Sequence, residues 1–206
     1  VRPDIIRAFI RGEFPILIDS PAGSPPPDGD ALDTLLGSLR HTGEEILLAL
    51  SLHTLSAYEH DVSAAITGAM LRQGLITADM VSRLRTALHE AVANALIHGN
   101  LELPSPRRDE LNDFVSFGDA ISARLADPAY ARRRLSVVVC APADPAEGLR
   151  LHIHNEGPGF NPAALPPQER RSPERAHGGW ALILAGCDHA VFTPDGRILT
   201  LTLPPA

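Results

Sequence analysis

The sequence predicts a two-layer α/β sandwich, an α+β arrangement with helices on one face of a mixed, mostly antiparallel sheet. Three observations predict it. Apolar runs follow the order strand, helices, strand pair, loop, helix, strand pair, so helices and strand pairs are segregated rather than strictly alternating. Of the 19 prolines in 206 residues, Pro21, Pro25, Pro26 and Pro27 cluster early and none occurs from Asp28 to Leu103, which leaves room for long helices. The later strands come in pairs joined by Pro/Asp/Gly turns, the signal for antiparallel neighbours.

The elements follow in order. Residues 1–45 read as an N-terminal appendage and Pro-rich linker, with a short strand at Pro15 to Ile18 and polyproline stiffness from Ser20 to Asp30. The main domain, 46–206, opens on an apolar strand, Ile46 to His53. From Tyr58 to Gln73, apolar residues at Val62, Ala65, Ile66, Ala69 and Met70 have helical spacing, and Gly74 ends the run. Thr77 caps a second helix running to His98, stopped by Gly99 and Asn100. Arg107 to Leu125 is a third, between Pro106 and Pro128. Leu135 to Ala141 and Leu149 to His154 are strands, residues 157–176 a proline-rich charged loop, and Trp180 to Cys187 a short helix. A hairpin closes the chain: His189 to Phe192, a Pro194-Asp195-Gly196 turn, and Ile198 to Leu203.

Composition removes several functions. All 18 basic residues are arginine, which excludes the P-loop lysine, the protein-kinase strand lysine and any Schiff-base lysine. A net charge of -7 gives no electrostatic footprint for wrapping nucleic acid. Cys140 and Cys187 lie far apart in apolar surroundings, where a buried thiol is the ordinary occupant, so a reducing, cytoplasmic setting is expected. No apolar run approaches the ~20 residues that span a bilayer, and Asp4, Arg7, Arg11 and Glu13 interrupt any signal core, so no membrane association is expected. Because residue 1 is valine, the chain is expected to be processed or cut from a longer protein.

Three segments can carry chemistry. In TALHEAVANALIHGN, residues 86–100, Glu90, Asn94 and His98 recur every fourth position on one stripe of an otherwise apolar helix. Burying a carboxylate beside an amide costs several kcal/mol unless a cation or polar ligand satisfies them, and a stripe that faces water avoids the cost altogether. Asn155-Glu156-Gly157-Pro158-Gly159-Phe160 follows an apolar strand, and its two glycines let backbone approach a ligand. Ala176-His177-Gly178-Gly179-Trp180 precedes an apolar helix and offers free N–H groups to an anion. A zinc-protease reading of His89-Glu90 fails because position 93 is alanine, and His152 and His154, which share a strand face near Glu156, are not assigned a site.

In this order and spacing the three segments resemble the Bergerat-fold, histidine-kinase-like ATPases, specifically the anti-sigma-factor serine kinases of bacterial partner-switching systems. Glu90 and Asn94 match the helical E-x-x-x-N box, NEGPGF matches the D-x-G-x-G-F box except at its first position, and HGGWAL partly matches the glycine-rich third box. HGNLEL at 98–103, DPAYARRR at 127–134 and DHAVFTPDG extend the resemblance to about residues 46–203.

The resemblance implies ATP and Mg²⁺ as ligands, with Glu90 as general base toward a target serine and Asn94 as the Mg²⁺ ligand. It implies that Asn155, Gly157 and Gly159 line the nucleotide, that Gly178 and Gly179 approach its phosphates, and that residues 161–177, with Arg170, Arg171 and Arg175, form a lid. A sigma factor or an anti-anti-sigma protein as partner, and homodimerisation through a sheet edge, follow from the same likeness. Two positions depart from the pattern. Asparagine stands at 155, where the family's aspartate selects adenine, and Trp180 or Ala181 stands where a third-box glycine is expected. Two functions are therefore open: a working serine/threonine kinase, or a pseudo-kinase that keeps the fold as a protein-binding module. A third, the catalytic half of a histidine kinase, ranks last because it needs an upstream phosphorylatable histidine and, of the candidates His41 and His53, the latter falls in an expected strand. Restoring aspartate at position 155 is expected to tighten adenine binding.

Overall fold

Strand residues alternate between two faces, and the sequence fills one face with large aliphatic side chains. The computed structural model describes residues 3–19, 43–104, 111–164 and 179–205. In chain order these form α1 (Pro3–Ile10), β1 (Ile16–Ile18), β2 (Glu45–His53), α2 (Thr54–Glu59), α3 (Val62–Arg72) and α4 (Ala78–Asn94). A π-helical segment (Ala95–Asn100) follows, then α5 (Leu111–Ala126), α6 (Pro128–Ala131), β3 (Arg134–Ala141) and β4 (Arg150–Asn155). The chain ends with α7 (Gly179–Ala185), β5 (His189–Phe192) and β6 (Ile198–Thr202).

The strands make one six-stranded sheet in the order β1-β2-β3-β4-β6-β5. Among the described residues only β1 and β2 run parallel; the other pairs are antiparallel, β3–β4 and β5–β6 through the expected Pro/Asp/Gly turns. Leu48, Leu50, Val137, Leu151 and Leu201 point to the helices and share the main core with Ile66, Met70, Leu88 and Ile183. The other face holds a smaller apolar cluster, Ala49, Val138 and Cys140, among buried Ser51, Ser136, Arg134 and His152. This is the expected two-layer sandwich.

Local chemistry moves several boundaries. The helix expected from Tyr58 to Gln73 is two helices, because Asp61 interrupts it: its carboxylate accepts from Ala64 N at 2.9 Å and Ser63 Oγ at 2.6 Å and caps α3. Thr77 precedes α4 as expected, but its hydroxyl donates to Asp79 rather than accepting from the backbone. The helix expected to run to His98 is α-helical only to Asn94 and then widens into the π segment. At the N-terminus, α1 buries Phe9 completely in the main core and β1 forms the parallel edge. The segment read as an appendage thus supplies one edge strand and one helix to the core. The linker Ser20 to Asp30 lies outside the described residues. No described helix is long and apolar enough to cross a membrane.

Candidate functional site

Helix α4 presents Glu90 half-buried and Asn94 exposed, and neither side chain hydrogen-bonds to another described residue. The desolvation cost that the sequence suggested is therefore small at Asn94, because the stripe of Glu90, Asn94 and His98 lies toward solvent. What is unusual here is the close approach of α7. A methyl group on Gly186 would collide with Ala87 and the Arg83 carbonyl, so this glycine lets the end of α7 lie directly on α4, while Gly179 at the start of α7 lies beside the Glu90 carboxylate. The first and third motifs meet through this contact.

The second motif is clamped from two sides. A methyl group on Gly157 would strike the carbonyl of Gly99, and one on Gly99 would strike the Asn155 amide, so the loop after β4 and the π segment after α4 touch backbone to backbone. Asn155 is buried, its Nδ2 donating to Arg197 O at 3.1 Å and its Oδ1 accepting from Gly157 N at 3.0 Å. Those two bonds fix the orientation of the amide. Gly159 has a left-handed φ of 77° and sits against Asp195 O, which also accepts from Phe160 N at 2.9 Å. The loop is thus held to the β5–β6 turn, where Gly196 also has a positive φ.

Asn100, which sequence reading used only as a helix stop, is fully buried and joins the motif segments. Its Nδ2 donates to Thr54 Oγ1 at 2.9 Å and to Arg134 O at 3.1 Å, while its Oδ1 accepts from Glu156 N at 2.8 Å. Its backbone carbonyl accepts from Arg133 Nη1, and Glu156 in turn accepts from Arg134 N. One amide therefore ties β2–α2, β3 and the second motif together. The available signal was its place in HGN, at the end of the motif helix, but spacing alone cannot tell a buried amide from a cap.

Trp180, which stands at the altered third box, stacks on Phe192 with centroids 5.6 Å apart and planes at 18°, and Phe160 meets Phe192 edge-on at 5.0 Å. The indole is thereby packed against the core and β5. Gly178 and the loop arginines Arg170, Arg171 and Arg175 lie outside the described residues.

On the opposite face, His152 bonds Thr200 Oγ1 through Nδ1 at 3.0 Å, and burial lowers the pKa of both His152 and His154. Glu156 does not join them in a site, since it caps Arg134 N instead. Both cysteines are free thiols; burial pushes Cys140 up to about 12 and Cys187 to about 11, so neither is a nucleophile at neutral pH.

An adenine nucleotide fits the donor set that is described. The Asn155 oxygen keeps a lone pair beyond its bond from Gly157, and Asn94 and Glu90 supply an oxygen and a carboxylate on the open side of α4. A comparison with curated proteins returned no match. The family model for the histidine kinase-like ATPase domain, however, matches residues 55–203, a span that runs from α2 through β6 and takes in all three motifs. By that match and by its two-layer architecture, this chain belongs to the histidine kinase-like ATPases.

Proposed function

We propose that this ATP-binding domain is a serine/threonine kinase of the anti-sigma-factor type, which regulates transcription by partner switching in the cytoplasm. The observation that carries the reading is the contact of Gly179 with the Glu90 carboxylate, which leaves the base of the first motif beside the glycine-rich third motif. Trp180 is compatible with phosphate approach because its ring stacks on Phe192. Asn94, one turn beyond Glu90 and exposed, would hold Mg²⁺, which when bound supplies charge neutralisation at the phosphates. Glu90 takes the proton of the target serine hydroxyl as that oxygen bonds to the γ-phosphorus of substrate ATP, and the bond to the β-phosphate oxygen breaks to release ADP. Asn155 accepts from the adenine amino group through its fixed oxygen. The partner is a sigma factor or an anti-anti-sigma protein carrying the target serine, and the domain pairs with a second copy through a sheet edge.

One observation favours the pseudo-kinase reading: Asn155 is neutral and its buried oxygen already accepts from Gly157 N, so a bond from adenine is weaker there than at a carboxylate. Calorimetric titration with a non-hydrolysable ATP analogue, with and without Mg²⁺, decides between the two. Mg²⁺-dependent binding that survives Glu90→Gln and is lost in Asn94→Ala is the expected result, with transfer to a serine-bearing partner falling about 10²–10⁴-fold in Glu90→Gln. Silence at millimolar nucleotide would leave a protein-binding module.

A further inference from the structure

The face of the sheet away from the helices holds a cluster that the nucleotide reading does not use. Glu44, Cys140 and His152 are all buried, and one ligand atom from each lies within 4.8 Å of the others. Register explains the meeting. Cys140 pairs with Ile46 and Arg150, while His152 pairs with Val138 and Thr200, so Cys140 and His152 are diagonal neighbours on one face. Leu48, Leu50 and Leu52 point into the main core, and strict alternation would send Ile46 and Glu44 there too. A bulge between Ile46 and Leu48 reverses the phase: Ile46 packs with Ala49, Val138 and Cys140, and Glu44 is aimed at His152.

Two buried polar atoms of the cluster lack a hydrogen bond. Glu44 Oε2 and His152 Nε2 are 3.3 Å apart, yet each lacks a hydrogen bond and both residues are 8 % exposed. In the tautomer whose Nδ1–H donates to Thr200 Oγ1, Nε2 keeps a lone pair for a cation beside the Glu44 carboxylate. Arg150 bonds both Glu44 and Glu147, so one arginine meets two carboxylates.

We propose that Glu44, Cys140 and His152 form a zinc-binding site with one open coordination position, on the sheet face opposite the helix layer. A mixed O, S and N donor set suits Zn²⁺ and disfavours Mg²⁺, which prefers oxygen alone. Bond lengths of about 2.0–2.3 Å set ligand separations near 3.3–3.8 Å, so rotamer adjustments of about 1 Å close the cluster. Thr200 is the outer hydrogen bond that orients the ligating imidazole. With the ion bound and the thiol proton released, the charges of zinc and Arg150 offset Glu44, Glu147 and the Cys140 thiolate. Arg150 and Glu147, with side chains 30 % and 50 % exposed, form the solvent side.

The test is titration of the chelator-treated 206-residue chain with Co²⁺, followed by Zn²⁺ competition. The expected result is a near-ultraviolet thiolate-to-cobalt charge-transfer band, displaced by Zn²⁺ and not by Mg²⁺. The band vanishes in Cys140→Ala and persists in Cys187→Ala, and Thr200→Val weakens Zn²⁺ binding about 10–100-fold. Circular dichroism checks that each variant folds, and His152→Gln reads the same site if Cys140→Ala does not. No band from the parent chain, or one that depends on Cys187, overturns the proposal.

Discussion

On the helix side of the sheet Leu50, Val137, Leu151 and Leu201 meet apolar groups, whereas the opposite side buries charge. There Arg134, 6 % exposed, donates from Nε to Ser51 Oγ at 2.9 Å and from Nη2 to Ser51 O at 2.9 Å and to Asp19 Oδ1 at 3.3 Å. His53 completes the set: Arg134 Nη1 donates to its Nε2, so Nδ1 carries the proton and donates to Asp19 at 2.9 Å. Ser51 and Ser136 hydroxyls bond at 2.8 Å. The two faces therefore fail differently. Loss of volume weakens the first, and an orphaned charge weakens the second.

The largest expected effect is on the charged face. Arg134→Met leaves Asp19 buried without its cation and should destabilise by about 3–5 kcal/mol, while Asp19→Leu combined with Arg134→Met should cost clearly less than the single change. Urea unfolding of the two variants measures the difference, and equal losses would show that the pair is not coupled. On the apolar face Leu151→Ala, at a fully buried site, should cost about 3 kcal/mol through transfer and cavity terms, with no such rescue by a second substitution.

A smaller effect is expected where the sheet meets the second motif. Asn155→Asp replaces the donor to Arg197 O, 3.1 Å away, with an acceptor, so stability should fall by about 1–3 kcal/mol. The expected gain in adenine affinity thus comes with a cost in stability. Thermal melts with and without nucleotide separate the loss of fold from any gain in affinity.

The smallest effect lies outside the sheet. At Asp61 burial raises the carboxyl pKa, but bonds from Ser63, Ala64 and Arg85 outweigh it and hold the group at about 2, against an ordinary 3.8. The stability it adds is present above pH 3.8 and is lost as pH falls through about 2. Asp61→Ala should therefore cost about 1 kcal/mol near neutrality and nothing at the acid end. A pH series of denaturant melts checks it; a difference that persists at the acid end would mean that packing, not the cap, is lost.

Much of the fold was legible because its signals are local. The β5–β6 hairpin was visible in Pro194-Asp195-Gly196 between apolar runs, and β3 in LSVVVCA, since turn chemistry and apolar runs need no distant partner. Glu90, Asn94, Asn155, Gly157 and Gly179 stood out through spacing within single segments. Asn100 did not, because its importance comes from Thr54, Arg134 and Glu156, which are remote in sequence. Nor did the helix break at Asp61, where one side chain chooses a cap over continued helix.

The sequence by itself determined the succession of strands and helical regions after residue 45, the two strand hairpins and the three motif segments, because periodicity, prolines and glycines act over a few residues. Only the tertiary structure decided that α1 and β1 join the core, that Gly179 rests on Glu90, and that Trp180 turns onto Phe192. It also decided that His152 faces Glu44 and Cys140 rather than Glu156. A single bulge in β2 shifts the two-residue period of a strand by one position, and no local pattern reveals which face its first residues take until the neighbouring strand is in register.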